Sequence, residues 1–398
     1  MEFNILITYF ALRNIRNVKD AIAMATIIEN PFIISGYESP KYFCDREAET
    51  SELLTTLRNG SNVTLTSPRR MGKTGLILHL FHHLQKTSPK ITTIYIDLFS
   101  TSDIADFTKA FASAVLGKFD SNPVKVMKKL ASVLKGVRPN MTVNEVTGAP
   151  KIGLDFVPGT ENSNIEQVFN YLKNSGKECY IAFDEFQQIA NYPEKNLEAL
   201  LRTYIQNIHN VHFIFSGSQA HMLNEMFLSP KRPFYLSSSQ KTIGTIKEEK
   251  YYAFASAFFN KQRRTLSKEI FNLIYQKYEG HTWYIQKIMN QLYQKQKCEI
   301  NEDLVQEVIE EILRDNEYYY HSILRSYTKG QINLLKAIAK EKKVKEITSG
   351  AFINKYNLIA TSSIKSALKS LLNNEIVYRS DDGYMIYDRF FGDWLSLL

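Results

Sequence analysis

The pattern of hydrophobic and polar positions divides the chain into an alternating first part and a helical second part. Between about residues 60 and 246, short apolar runs typical of buried strands alternate with segments whose apolar residues recur at helical spacing. This alternation predicts an α/β core, in which a parallel sheet carries helices on both faces. From Lys247 the pattern becomes helical and ends around residues 318–320, with helices predicted at 248–261, 267–278, 283–294 and 302–315.

The C-terminal segment that begins at Thr328 has a pattern of its own. Thr328 and Gln331 are spaced as a capping box at the start of an amphipathic helix. Two shorter helices and a strand pair follow, at 349–356, 362–372, 376–379 and 384–387. Asp382 and Gly383, between the two strands, favour a tight hairpin turn. Three helices followed by a hairpin predict a winged-helix domain.

Three segments stand apart from this regular pattern. Residues 123–136 have a helical pattern, whereas the glycines and the proline within 141–158 indicate an irregular or hairpin insertion. Near the start of the chain, the apolar patch at 5–12 is too short to cross a bilayer. We expect residues 1–28 to form an N-terminal extension, in which an over-long gene prediction or a loosely attached helix accounts for the part before Met24.

The segment from Val63 to Thr74 predicts a buried strand, a tight loop and the start of a helix. Gly72, Lys73 and Thr74 match the end of the phosphate-binding pattern G-x-x-x-x-G-K-[ST], although Ser67 stands where the pattern has its first glycine. A helix N-terminus presents free backbone N–H groups and a positive dipole end to phosphate oxygens. In such loops the lysine reaches the terminal phosphates and the hydroxyl binds Mg²⁺.

A second buried strand is predicted before Asp184 and Glu185. The apolar run from Cys179 to Phe183 would deliver both carboxylates at the tip of the strand. This is the Walker B arrangement, in which the first carboxylate holds Mg²⁺ and the second polarises the attacking water. An ordinary strand that ends in a solvated acidic turn is the alternative. The phosphate-loop motif favours the nucleotide interpretation over that alternative.

A third buried strand is predicted from Val211 to Phe215, and small polar residues follow it. In P-loop ATPases with a catalytic glutamate, such a strand lies between the other two, and a polar residue at its tip senses the terminal phosphate. Ser218 or Ser216 is the candidate for this role here. A plain exit from strand to turn is the alternative.

Composition and charge narrow the classes of protein that remain. The chain has 398 residues, of which 44% are hydrophobic and 23% charged, so it is long enough for two or three domains. Its net charge of +8 permits an acidic partner without requiring one. Three cysteines, Cys44, Cys179 and Cys298, have no metal-binding spacing and indicate a reducing, cytoplasmic compartment. No apolar run is long enough for a membrane helix.

These motifs together resemble the archaeal-type ATPase family, a branch of the P-loop NTPases between the AAA+ and STAND groups. The resemblance covers about residues 30–398. It is carried by motifs whose order and spacing agree with the family, namely Asn30-Pro31-Phe32, Asp45-Arg46-Glu47, 67–74, Phe183-Asp184-Glu185, Ser216-Gly217-Ser218, 280–286 and 387–395.

The resemblance implies an ATPase core at 29–246, a helical lid at 247–327 and a winged-helix domain at 328–398, with ATP and Mg²⁺ as cofactors. The catalytic candidates are Lys73, Asp184, Glu185 and Ser218, and the Mg²⁺ candidates are Thr74 and Asp184. The nucleotide-binding candidates are Ser67, Pro68, Arg69, Arg70, Met71, Gly72, Lys73, Thr74 and Gly75 on the loop, Asp45 and Arg46 near the adenine, and His281 on the lid.

Three positions depart from the family pattern. Ser67 replaces the first loop glycine, and Thr282 stands where the related Gly-x-Pro turn has proline. The family often carries an arginine, a candidate finger, in a Pro-Leu-Tyr-Gly-Arg segment after the third strand. Here the segment 233–237 lacks it, and the nearby Arg232 is not aligned with it. We therefore expect slow hydrolysis and a switch gated by nucleotide.

Two classes of function follow. The first is an ATP-hydrolysing switch or motor whose winged helix binds DNA. The second is a signalling or scaffold protein, latched by nucleotide, whose winged helix binds a protein partner or a second copy of the chain. Lys365 and Lys369 lie on a predicted face without acidic residues, which suits phosphate contacts. Asp381 and Asp382 at the wing tip oppose such contacts, so both classes remain open.

Overall fold

The computed structural model describes residues 29–119, 137–143, 150–157, 160–295, 297–358, 360–380 and 382–398, with the backbone alone for 137–143 and 150–156. The predictions for 1–28 and for a helix at 123–136 lie outside the described residues. Within the described part, no helix is both long and apolar enough to cross a membrane.

A parallel sheet of five strands forms the centre of the first part, as far as the chain is described. Its strands are β1 (Val63–Thr66), β2 (Thr92–Asp97), β5 (Cys179–Asp184), β6 (Val211–Gly217) and β7 (Ser239–Thr242), and an inserted antiparallel hairpin comprises β3 (Val137–Val143) and β4 (Pro150–Phe156). The order across the sheet is β2-β5-β6-β1-β7. The third predicted strand, β6, therefore lies between the two motif-bearing strands, as predicted. Of the two alternatives for 141–158, the structure has the hairpin, whose first strand begins earlier, at Val137.

The edge strand β7 is absent from the sequence-based prediction. Its residues, Ser-Gln-Lys-Thr, are polar, whereas β1 and β5 are buried along their whole length. A parallel strand covered on both faces requires an apolar run, but an edge strand does not. Parallel pairing with β1, from Val63 opposite Ser239 to Thr66 opposite Thr242, holds β7 in place.

Helices cover both faces of the sheet and complete two apolar cores. They are α1 (Glu47–Arg58), α2 (Lys73–Thr87), α3 (Ile104–Phe119), α4 (Glu161–Asn174), α5 (Leu197–Ile205) and α6 (Ala220–Leu228), with short 3₁₀ turns at Pro40–Tyr42 and Phe186–Asn191. Alternate residues of β5 enter different cores: Phe183 packs with α3 and α4, whereas Ala182 packs with α1 and α2. This alternation follows from the two-residue period of a strand.

The second part of the chain is helical, as predicted. Its helices are α7 (Glu248–Lys261), α8 (Lys268–Lys277), α9 (Thr282–Gln294) and α10 (Glu302–Leu324), and a small parallel pair joins β8 (Thr265–Leu266) to β9 (Glu299–Ile300). The helix predicted at 302–315 is longer than predicted, because α10 continues to Leu324. Tyr320 and Leu324 are buried, so packing extends the helix beyond its predicted end.

The C-terminal segment has the predicted order of three helices and a hairpin. It contains α11 (Lys329–Glu341), α12 (Gly350–Lys355), α13 (Thr361–Asn373), β10 (Val377–Ser380), β11 (Gly383–Ile386) and a further helix, α14 (Arg389–Ser396). The capping box of Thr328 and Gln331 is present, and β10 pairs antiparallel with β11. The sequence-based prediction did not include α14, which Asp388 caps through the backbone N–H groups of Phe390 and Phe391.

One apolar core joins the helical module to the winged helix. Phe391 and Trp394 of α14 pack around the ring of Tyr320 on α10, with ring centroids 5.3 and 5.4 Å apart. On the other side of α14, Phe390 meets Tyr284 at 5.0 Å. The two segments therefore share buried apolar surface, which binds them together as one unit.

Phe391→Ala is expected to lower the free energy of unfolding of this unit by about 3–5 kcal/mol, because a fully buried aromatic ring is replaced by a cavity. Urea unfolding followed by tryptophan fluorescence measures the change, since Trp394 lies in the same cluster. Phe99→Ala is the control: Phe99 is 73% exposed, so we expect a change within about 0.5 kcal/mol. Equal stability of the Phe391 variant and the unaltered chain would contradict the shared core.

Candidate functional site

The loop between β1 and α2 has the backbone of a phosphate-binding loop. Gly72 adopts φ = +95°, a conformation that glycine accepts at little cost, and Arg70 also lies in the left-handed region at φ = +64°. Ser67 is not among the residues with positive φ. Position 67 therefore does not need glycine in this chain, and the departure from the pattern carries no backbone strain.

Lys73 is a buried cation whose hydrogen bonds go to neutral oxygens. Its Nζ donates to the Ser67 carbonyl at 2.9 Å, the Ser67 hydroxyl at 3.0 Å and the Pro68 carbonyl at 3.1 Å. Burial lowers the pKa of Lys73 to about 8, against the opposing effect of Glu185 and Asp184. A buried ammonium group without a contacting anion is costly, and a bound phosphate would supply that anion.

The carboxylate of Asp184 lies against the hydroxyl of Thr74. Thr74 Oγ1 donates to Asp184 Oδ2 at 2.5 Å, and the Tyr95 hydroxyl donates to the same oxygen at 2.9 Å. Ser216 Oγ donates to Asp184 Oδ1 at 2.8 Å. The two residues predicted to hold Mg²⁺ are thus brought together by the fold. Tyr95 joins them without any signal in the sequence, because it lies on the neighbouring strand β2.

The donor set at this point fits Mg²⁺. A hydroxyl and a carboxylate are hard oxygen ligands, and Mg²⁺ is usually held by one or two such groups together with water and substrate phosphates. No group of three or more His, Cys, Asp or Glu side chains that could hold a metal occurs within the described residues. Thr74 and Asp184 therefore suit a metal that also binds the nucleotide.

Glu185 is held at the tip of β5 in a strained conformation. Its φ of +53° lies in the left-handed region, which costs free energy for a residue with a side chain. The oxygen Oε2 accepts from Ser218 N–H at 3.2 Å, Ser218 Oγ at 2.8 Å and Gln187 Nε2 at 2.5 Å. Ser216 contacts Asp184, whereas Ser218 contacts Glu185. The two serines that the sequence left as alternatives for the phosphate-sensing role therefore have different partners. Gln187 had no sequence signal.

A cavity of about 650 Å³ lies beside the loop. It is lined by the loop, Glu185, Ser218, Phe43, Arg46, Tyr251 and Trp283, among others. Arg46 is buried and donates to Glu49 at 2.6 Å and to the Gly244 carbonyl at 2.7 Å. Asp45 pairs with Lys250 at 3.2 Å. Both of these predicted nucleotide-binding side chains thus have partners within the protein. Arg46 also lines the cavity.

His281 lines a second cavity, of about 360 Å³, on the other side of Arg69, Arg70 and Met71. This cavity lies between the loop, α10 and the winged helix. The Nδ1 atom of His281 is buried without a hydrogen-bond partner. Burial, followed by the charge of Arg389, lowers the pKa of His281 to about 4, so the ring is neutral at pH 7. Thr282 and Trp283 reach the first cavity instead.

Arg232 is committed to an ion pair away from the loop. Its guanidinium pairs with Glu198 on α5 and lies 3.7 Å from Glu225 on α6. Burial raises the pKa of Glu198, an effect that the charge of Arg232 opposes. The arginine nearest in sequence to the expected finger is therefore already paired.

Two family profiles match the chain. Residues 43–288 match the ATPase domain predominantly from Archaea, and residues 318–397 match a probable winged helix domain. The chain belongs to this ATPase family. The resemblance drawn from the motifs is confirmed, and the fold is a P-loop ATPase core with a C-terminal winged helix. No curated protein matches the chain.

Several solved structures share this fold at low identity. The Walker-type ATPase PABY2304 of Pyrococcus abyssi is 16% identical with a TM-score of 0.63, over 92% of this chain and 99% of that one. The Aeropyrum pernix ORC2 protein, solved with ADPNP and ADP, is 14% identical with a TM-score of 0.56, over 92% and 96%. The ORC1 protein of the same organism, in complex with DNA, is 15% identical with a TM-score of 0.51, over 90% and 94%.

The depressed pKa of Lys73 predicts how stability depends on pH. Between about pH 8 and the ordinary lysine value of 10.5, the unfolded chain keeps a proton that the folded chain has lost. The contribution of Lys73 to stability therefore rises with pH in this window, by at most about 1.4 kcal/mol per pH unit. Tyrosines also titrate near the upper end of this pH window. The stability of the unaltered chain is therefore compared with that of the Lys73→Met variant, in which the tyrosines are the same.

Chemical unfolding of both proteins without nucleotide, at pH 7.5, 8.5 and 9.5, measures this effect. The stability of the unaltered chain relative to the Lys73→Met variant is expected to increase across the series. A difference in stability that stays constant with pH would mean that the pKa of Lys73 is not lowered in the folded chain. Lys86→Met, at an exposed site on the same helix, is the control and is expected to give a constant difference in this window.

Proposed function

We propose that this chain binds ATP with Mg²⁺ at the loop and uses binding and slow hydrolysis to switch its conformation. The observation that carries the proposal is the joint position of three groups: the buried Lys73 ammonium, the Thr74 hydroxyl and the Asp184 carboxylate. Lys73 needs an anion, and the other two suit the metal that accompanies nucleotide phosphates.

The nucleotide contacts follow from this arrangement. The backbone N–H groups from Arg70 to Gly75, which include the N-terminus of α2, bind the phosphates, and Lys73 meets the terminal phosphates. The base and ribose occupy the cavity of about 650 Å³, near Arg46, which is the residue after Asp45. His281 approaches the loop from the opposite cavity. When bound, Mg²⁺ neutralises charge on the phosphates, and Thr74 with Asp184 holds it.

Hydrolysis rests on Glu185 and Ser218. Glu185 accepts a hydrogen bond from a water and so orients it toward the terminal phosphate, while Ser218 fixes the carboxylate. Turnover is slow, because the segment after β6 lacks the family arginine and Arg232 is paired with Glu198. A nucleotide-latched signalling or scaffold protein with little turnover is the second candidate, and this pairing of Arg232 favours it.

Glu185→Gln keeps the shape of the side chain and removes the charge that orients water. We expect ATP affinity close to that of the unaltered chain and phosphate release at least about 100-fold slower. Calorimetry and a phosphate-release assay measure the two quantities. Glu166→Gln, on the exposed face of α4, is the matched control and should change neither. Loss of ATP binding in the Glu185 variant would contradict the assigned role, and an unaltered chain with no turnover would favour the latch.

The domain division that supports the switch is a core at 29–246, a lid at 247–327 and a winged helix at 328–398. The partner of the winged helix is DNA in our first proposal. Lys365 and Lys369 on α13 are exposed, and Ser363 and Ser366 lie beside them. These side chains suit phosphate contacts and offer no bidentate recognition of bases, so binding would not depend on sequence. Docking on a protein is the alternative.

Lys365→Glu with Lys369→Glu is expected to abolish retention of duplex DNA at low salt, because two phosphate contacts become repulsions. Fluorescence anisotropy at about 50 and 200 mM salt measures the effect and its salt dependence. Lys261→Glu with Lys268→Glu makes the same change in charge on exposed lid residues and should retain DNA. DNA binding that is equal in all three proteins, or absent from the unaltered chain, would leave protein docking as the better account.

A further inference from the structure

Arg69 of the loop contacts the candidate site and the winged helix at the same time. Its Nε donates to Ser218 Oγ at 3.3 Å, and that hydroxyl donates to Glu185 Oε2 at 2.8 Å. Its Nη2 lies 2.7 Å from Glu375 Oε2, at the end of α13. Its backbone N–H donates to the Tyr387 hydroxyl at 3.0 Å. A continuous line of polar contacts thus runs from Glu185 to the winged helix.

Arg70 adds a second tether of the same kind. Its guanidinium lies 4.1 Å from the centre of the Trp283 ring and 3.7 Å from Asp388 of the winged helix. Both arginines therefore pair with carboxylates, and a guanidinium binds phosphate by the same two-pronged geometry.

The winged helix is held differently on its two sides. Toward the helical module it shares a buried aromatic core, with Tyr278 OH also donating to Asp393 at 2.9 Å and Arg389 pairing with Glu279 at 2.6 Å. Toward the loop, the contacts described above are ion pairs and hydrogen bonds between partly exposed groups. Exposed ion pairs contribute little to stability, so a competing anion can displace them. An apolar core cannot be exchanged in this way.

We propose that Arg69 discriminates a nucleoside triphosphate from a diphosphate by exchanging Glu375 for the terminal phosphate. The exchange rests on the nucleotide binding proposed above. Arg69 is one hydrogen bond from Ser218 and two from Glu185, the groups assigned to the terminal phosphate. It also lies close enough to Lys73 for its charge to oppose that of the ammonium, so the two cations together favour an anion between them.

The exchange has a mechanical consequence. When Glu375 loses Arg69, the end of α13 loses its ion pair with the loop, while Tyr387 and Asp388 keep their contacts with the loop and the shared core keeps the winged helix attached to the helical module. The segment around Glu375 is then freer to move than the rest of the winged helix. A diphosphate leaves the Arg69 to Glu375 pair in place, because it has no phosphate at the position that Arg69 reaches.

Hydrogen exchange on the full-length chain tests the exchange directly. ADPNP with Mg²⁺ and ADP with Mg²⁺ are both expected to protect residues 67–75 of the loop. ADPNP alone is expected to speed exchange in residues 374–380 of the winged helix, by about threefold or more. Protection of the loop with no difference between the nucleotides at 374–380 would overturn the exchange. Absence of loop protection by either nucleotide would overturn the proposed nucleotide site and the exchange with it.

Two variants separate this role from general electrostatics. Glu375→Gln frees Arg69 and is expected to tighten ADPNP about three- to tenfold, with ADP changed less than about twofold. Glu346→Gln removes the same charge from an exposed position of the winged helix and should change neither affinity. Arg69→Met is expected to reduce the ratio of ADPNP to ADP affinity toward one. Equal gains for both nucleotides in the Glu375 variant would contradict discrimination by Arg69.

Discussion

The carboxylate of Asp184 joins four parts of the ATPase core at one point. It accepts hydrogen bonds from Thr74 at the start of α2, Tyr95 on β2 and Ser216 on β6, and it belongs to β5 itself. A buried carboxylate is tolerated only where donors replace water, so these contacts fix one another. The position of the phosphate loop relative to the sheet depends on this residue. The contacts that Trp283 and the winged helix make with the loop depend on the position of the loop in turn.

The site brings a lysine and two carboxylates close together, but Lys73 forms no ion pair with either carboxylate. Lys73 donates to neutral oxygens although Glu185 and Asp184 are near enough to oppose the lowering of its pKa by burial. Glu185 is held by neutral donors from Ser218 and Gln187, in a strained backbone conformation. Such an arrangement sacrifices stability and keeps the charged groups available to a ligand. An anion and a divalent cation, bound together, would complete it.

Buried apolar surface joins some parts of the protein, and polar contacts join others. The sheet has its own two cores, whereas the helical module and the winged helix share a third, which also includes Phe32, Cys44 and Ile246 from the first part of the chain. The polar contacts of Arg69 and Arg70 with the winged helix can respond to ligand charge. The helical module and the winged helix are thus joined by burial although their sequence patterns differ, and the loop contacts them through charged groups.

The sequence by itself determined the loop motif, the carboxylates at the tip of β5, the position of β6, the capping box at Thr328 and the hairpin, because each follows from local residue chemistry or from short-range periodicity. Only the tertiary structure decided the edge strand β7, the full length of α10, the tolerance of Ser67 and the placement of His281 in a second cavity. Arg69 and Tyr387 are 318 positions apart, and Gln187 reaches Glu185 only through the turn after β5. Contacts of this kind leave no periodic or compositional signal, since they depend on how distant elements pack.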